Sequence, residues 1–69
     1  MARLPQIKPR QLGKILERHG YEAVRQTGGH RIYQNGSVIV SVPQHNKDLK
    51  KGTLNAILKT TGLQSADLQ

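Results

Sequence analysis

The chain contains no cysteine, no tryptophan and no phenylalanine. Without thiols it has neither a disulfide framework nor a thiolate zinc site, and a cytoplasmic protein is the simplest expectation. Its only aromatics are Tyr21 and Tyr33, which disfavours recognition of single strands by base stacking. Apolar runs are short. None approaches the ~18 residues a membrane helix needs, and no apolar signal-peptide core follows the basic start. Acids are scarce too. Glu17, Glu22, Asp48 and Asp67 are the only four, and their scatter argues against a carboxylate dyad, a magnesium cage or a two-metal nuclease. No glycine-rich phosphate loop of P-loop or Rossmann type is present.

What remains is short and basic. At 69 residues the chain has room for one small core and reads as a single domain over residues 1–69. Eleven Lys and Arg give a net charge of +7, which draws a small protein to polyanions through counterion release. A generic basic domain, or one with an acidic protein partner, would share that charge. Lys47, Lys50 and Lys51 form the only dense cluster. The other cations are spread along the chain among apolar residues of regular period, unlike a disordered basic tail.

The pattern along the chain predicts the order α-β-β-β-α. Residues 1–8 read as an extended lead-in punctuated by Pro5, and Pro9 suits the first turn of a helix. Leu12, Ile15, Leu16 and His19 follow helical spacing, and Gly20 is a helix stop. Tyr21–Thr27 is β-like with poor alternation, and Gly28-Gly29 breaks it. His30–Gln34 and Ser37–Val42 read as strands joined at Asn35-Gly36, with Pro43 as a stop. Residues 44–52 form a polar, basic loop. Thr53 is the N-cap of the second helix or lies just inside it, Leu54, Ile57 and Leu58 form its stripe, and Gly62 ends it. Leu63 can tuck onto the core, and Ser65 can cap a last turn carrying Leu68. The expected architecture is α+β, with two helices on one face of a three-stranded antiparallel sheet and the other face open to solvent.

A turn centred on Asn35-Gly36 sets a register. Gln34 would pair with Ser37, Tyr33 with Val38, Ile32 with Ile39, Arg31 with Val40 and His30 with Ser41. Paired residues share a face, so His30 falls on the polar face, exposed beside the glycine pair. Arg31 falls on the valine face and must reach out at the sheet edge.

The three histidines, His19, His30 and His45, match no local zinc spacing, so no metal site is expected. A lone imidazole still works as an acid or base, since it titrates at about pH 6.5. RNA carries its own nucleophile, the 2′-OH, so a histidine among cations is a sufficient toolkit for cutting it. The plainer alternatives are a helix-end residue for His19, a surface strand or turn residue for His30, and a loop residue for His45. Lys50 and Lys51 are either a solvated loop or, beside a helix N-terminus, a phosphate clamp.

Four stretches resemble the HicA, or YcfA-like, family of small toxins. Leu16-Glu17-Arg18-His19-Gly20-Tyr21 is similar to its "LxxxGF" helix end. Arg25-Gln26-Thr27-Gly28-Gly29-His30-Arg31-Ile32-Tyr33 is similar to its "RQxGSHxxF" core. Val42-Pro43-Gln44-His45 and Leu49-Lys50-Lys51-Gly52-Thr53-Leu54-Asn55-Ala56-Ile57-Leu58 resemble its "PxH…ELxxGTLxxIL" ending. The pieces are weak singly, but their joint order in so short a chain is specific. The resemblance implies an α-β-β-β-α fold like a double-stranded-RNA-binding domain. It also implies a cytoplasmic, metal-independent mRNA interferase of a toxin-antitoxin pair, with a HicB-like antitoxin as partner, mRNA as substrate and no cofactor. It puts the catalytic histidine at His30. Gly28, Gly29, Arg31, Lys50 and Lys51 are the expected phosphate-binding positions, and His45 is a possible auxiliary acid or base. Gly29 departs from the family's usual serine, and Tyr21 and Tyr33 stand where the family has phenylalanine. A non-catalytic double-stranded-RNA-binding module of the same fold is the alternative.

Overall fold

The computed structural model describes residues 6–68, so Pro5 and most of the expected lead-in lie outside the described residues. The elements run α1 (Pro9–Arg18), β1 (Glu22–Thr27), β2 (His30–Asn35), β3 (Val38–Pro43) and α2 (Lys51–Thr61), followed by a 3-10 turn over Ser65–Leu68. The three strands form one antiparallel sheet in the order β1-β2-β3. This is the α-β-β-β-α, α+β arrangement expected from the apolar periodicity.

Helix α1 starts at Pro9, whose missing N–H costs nothing in a first turn. It ends in a Schellman motif. The Tyr21 N–H donates to the Leu16 carbonyl at 2.9 Å and the Gly20 N–H to Glu17 at 3.2 Å. Leu16 and Tyr21 are both buried, which adds the apolar contact that usually accompanies this cap. Tyr21 therefore closes the helix and precedes β1, which begins one residue later than its β-like pattern predicts. Helix α2 begins two residues before Thr53. The extended backbone of Lys50 takes the N-cap place, and its carbonyl accepts from the Leu54 N–H at 2.9 Å. At the other end Gly62 donates back to Leu58 at 2.8 Å.

Both stripes meet the Tyr33, Val40 and Val42 side of the sheet. Leu12, Leu16, Leu54 and Val42 have almost no exposed surface. Burying each such side chain contributes roughly 1.5–3 kcal/mol. Leu63 packs against this cluster and Leu68 is buried within it. Ile7 and Leu49 join the core as well, and the Leu49 N–H donates to the Ile7 carbonyl at 2.8 Å. The basic loop after β3 is thus anchored by one leucine among polar neighbours.

The β2-β3 register differs from the one predicted. Asn35 pairs with Val38, Gln34 with Ile39, Tyr33 with Val40, Ile32 with Ser41, Arg31 with Val42 and His30 with Pro43. The two central turn residues are Gly36 and Ser37, with Gly36 at φ +61° and Ser37 outside the positive region, the pattern of a type II′ turn. Asn35 is instead the last β2 residue, and its side-chain Nδ2 donates to the His19 carbonyl at 3.4 Å. Moving the turn by one residue moves every pairing by two, which leaves each side chain on its predicted face. In β1 the register shifts between Ala23 and Arg25, so Val24 is the extra residue of a bulge. That bulge explains the poor alternation of the strand. Ala23 and Gln26 share the helix side with Tyr33 and Arg31, while Glu22, Arg25 and Thr27 share the open side with Gln34, Ile32 and His30.

Candidate nucleic-acid interface

His30 is the first residue of β2 and is exposed. Its pairing with Thr27 and Pro43 sets it on the open face of the sheet, away from both helices. Gly28 and Gly29 form the two-residue turn before it. Gly28 takes φ +53°, a left-handed conformation that glycine adopts without the cost a Cβ would add. Around both glycines an added Cβ would meet nothing within 4 Å, so ligand can approach the backbone closely here.

The Gln44 N–H donates to the Gly29 carbonyl at 2.6 Å. This bond continues the β2-β3 ladder one step past Pro43 and draws the segment carrying His45 alongside the glycine turn. The His45 imidazole Nδ1 accepts the Lys47 N–H at 3.2 Å, which leaves Nε2 as the ring nitrogen available to a ligand. His45 is exposed and borders a cleft with Lys8, Arg10 and Asn46.

Arg31 takes the opposite face from His30. It is half-buried on the helix side, opposite Val42 rather than Val40. Its Nε and Nη2 donate to the Gln26 Oε1 at 3.2 and 3.1 Å. There it borders a groove with Arg10, Lys14 and Tyr33. Lys50 and Lys51 are exposed as the N-cap and first residue of α2, at the far end of the segment that begins at Gln44. His19 caps the end of α1 and is exposed. His30, the glycine turn and the Gln44–His45 segment are therefore brought together at one end of the hairpin. Arg31 stands at the same end on the other face.

Sequence reasoning missed Lys8, Arg10 and Lys14, which flank this end from α1. A signal was present, since Arg10, Lys14 and Arg18 recur every four residues along one side of the helix. Gln44 was missed for a different reason. Its contribution is a backbone N–H, and side-chain type does not report that.

Among the described residues, no three of His, Asp and Glu come together in a group able to hold a metal ion. Nor is any described helix long and apolar enough to cross a membrane. No curated protein matches the chain at significant similarity. The family model described as the HicA toxin of bacterial toxin-antitoxin systems matches residues 9–63, from the start of α1 past the end of α2. That match takes in the glycine turn, His30 and the Gln44–His45 segment, and the chain belongs to the HicA toxin family.

Proposed function

We propose that this toxin is a metal-independent endoribonuclease that cleaves mRNA and thereby inhibits translation and growth. The observation that carries the reading is His30, exposed at the head of β2 behind a glycine turn that leaves space for a backbone. In this reading the His30 imidazole takes the proton from a ribose 2′-OH. The 2′-oxygen attacks the adjacent phosphorus, the bond from phosphorus to the 5′-oxygen breaks, and the leaving oxygen takes up a proton. The products are a 2′,3′-cyclic phosphate and a 5′-hydroxyl. Because the substrate supplies the nucleophile, the protein needs to supply a base and a grip on phosphate. The backbone at Gly28 and Gly29 provides that grip beside His30, Lys50 and Lys51 hold phosphates further along the strand, Arg31 does so from the other face of the sheet, and His45 is an auxiliary proton donor or phosphate ligand.

The partner in this reading is a HicB-like antitoxin that covers the basic surface and blocks His30. The experiment is incubation of purified protein with RNA in EDTA, alongside a His30→Ala variant. Cleavage with cyclic-phosphate ends in the parent, and its loss in the variant, is the expected result. A His30→Ala protein that still cleaves RNA and still arrests growth would overturn the assignment. Tight binding of duplex RNA with no products would favour a non-catalytic binding module of the same fold.

A further inference from the structure

We infer that the cleft between the start of α1 and the segment after β3 is a second phosphodiester-binding site, which holds the part of the RNA strand that adjoins the cut. The inference rests on the ribonuclease reading and extends its substrate contacts beyond the glycine turn and α2. The cleft has a volume of about 430 Å³ and is lined by Lys8, Arg10, Gln11, Gln44, His45 and Asn46. That volume falls within the ordinary range of small-ligand sites, and it accommodates a nucleotide unit of an RNA strand.

The lining is chemically one-sided. It holds two cations and no carboxylate, in a chain that has few acids to spare. Two of the neutral groups, Gln11 and His45, are also set to donate, whereas Gln44 spends its amide nitrogen on the Val42 carbonyl at 3.1 Å. Gln11 spends its Oε1 on the Lys8 N–H at 3.1 Å, which leaves its amide nitrogen to donate. His45 spends Nδ1 on the Lys47 N–H, and its other nitrogen carries the proton in the neutral ring. An anion with several acceptor oxygens matches this set, and a phosphodiester in a basic protein is the natural one.

Continuity with the candidate centre supports the same conclusion. Arg10 and Gln44 border both this cleft and the groove that contains Lys14 and Arg31, where three cations outnumber the one carboxylate, Glu17. The Gln44 N–H is bonded to the Gly29 carbonyl, one residue from His30. A strand held in the cleft is therefore led past Arg31 to the glycine turn, and across that turn to the open face where His30 stands.

The test uses the full chain carrying His30→Ala, so that RNA is bound without turnover. Binding of a short fluorescein-labelled single-stranded RNA is followed by anisotropy across a range of salt concentrations. Arg10→Gln and Lys8→Gln are compared with Lys59→Gln, which removes the same charge from the last turn of α2. The expected result is a roughly tenfold loss of affinity for Arg10→Gln and a slope of log affinity against log salt shallower by about 0.7 for each phosphate the variant no longer neutralises. Lys59→Gln should stay within about twofold of the parent. Unchanged affinity and slope in the cleft variants, with folding verified by circular dichroism, would overturn the inference while leaving the ribonuclease reading intact. An equal loss from Lys59→Gln would overturn it as well, since the effect would then be general charge. Absence of RNA binding by the parent at low salt would instead sink both.

Discussion

At Gly13 the side chain of Tyr33 comes so close that an added Cβ would run into its hydroxyl, with the ring carbon Cζ 3.2 Å away. The glycine weakens α1 by local propensity, yet it makes room for a buried tyrosine under the helix. Gly13→Ala should therefore lower stability by about 1–3 kcal/mol through overpacking, even though alanine in a helix is worth about 1 kcal/mol over glycine. Tyr33→Phe removes the clashing oxygen, so the double variant should regain most of that loss. Thermal denaturation of the four proteins measures the coupling, and strict additivity would contradict the account. The two turn glycines differ in a way their adjacency hides. Gly28 has a positive φ and Gly29 does not, so Gly28→Ala should cost about 1–2 kcal/mol. Gly29→Ser should stay within about 0.5 kcal/mol of the parent. Urea titration distinguishes the two, and equal losses would count against this turn geometry. The close approach of Tyr33 to Gly13 was not legible in the sequence, because residues far apart in the chain meet there only through packing. The exposure of His30 was legible, because strand alternation and a nearby turn sufficed to place it.

Among the elements, both helices lack an acid in the first turn. A helix N-terminus carries partial positive charge, so cations there are unfavourable. Lys50 and Lys51 occupy that position on α2, which is the opposite of what stability alone would select. Lys51→Glu should raise stability by about 0.3–1 kcal/mol and at the same time weaken RNA binding. Parallel melting curves and RNA titrations check it, and a variant that gained stability with no loss of binding would return Lys51 to the status of a solvated residue. The helices were the most readable elements, since Leu12, Ile15 and Leu16, and then Leu54, Ile57 and Leu58, repeat with helical spacing and Gly20 and Gly62 stop them. The hairpin was readable as a hairpin, but Asn35-Gly36 misled on its centre. Asn35 is drawn into β2, where its amide reaches the His19 carbonyl, a tertiary partner that no turn preference anticipates. The bulge at Val24 hid the facing of β1 for a similar reason. One residue without a partner resets the alternation on which the facing depends.

Across the whole molecule, a charge of +7 surrounds a core small enough that most cationic side chains stay in water. Such a surface steers an acidic partner, and screening weakens that steering over about a Debye length, ~8 Å at physiological salt. A complex with the proposed HicB-like antitoxin should accordingly form more slowly and more weakly as salt rises. Surface plasmon resonance across a salt series measures this, and a salt-independent affinity would mean that apolar contacts carry the complex. The α+β class was readable from periodicity and the small core from length. The shape of the basic surface was not, because only the fold gathers Lys8, Arg10, Arg31 and His45 around one end of the sheet. The hairpin's two ends also have unequal fates. The Gly28-Gly29 turn lies beside His30, whereas the Gly36-Ser37 turn lies at the opposite end of β2, six residues or roughly 20 Å away. Ser37, the second central residue of that turn, is exposed and lies outside the positive-φ region, so a side chain there adds none of the backbone strain it would at Gly36. That far turn is therefore a place to attach a fluorophore or splice in a short tag, giving the toxin a handle that reports on its encounters without standing in their way.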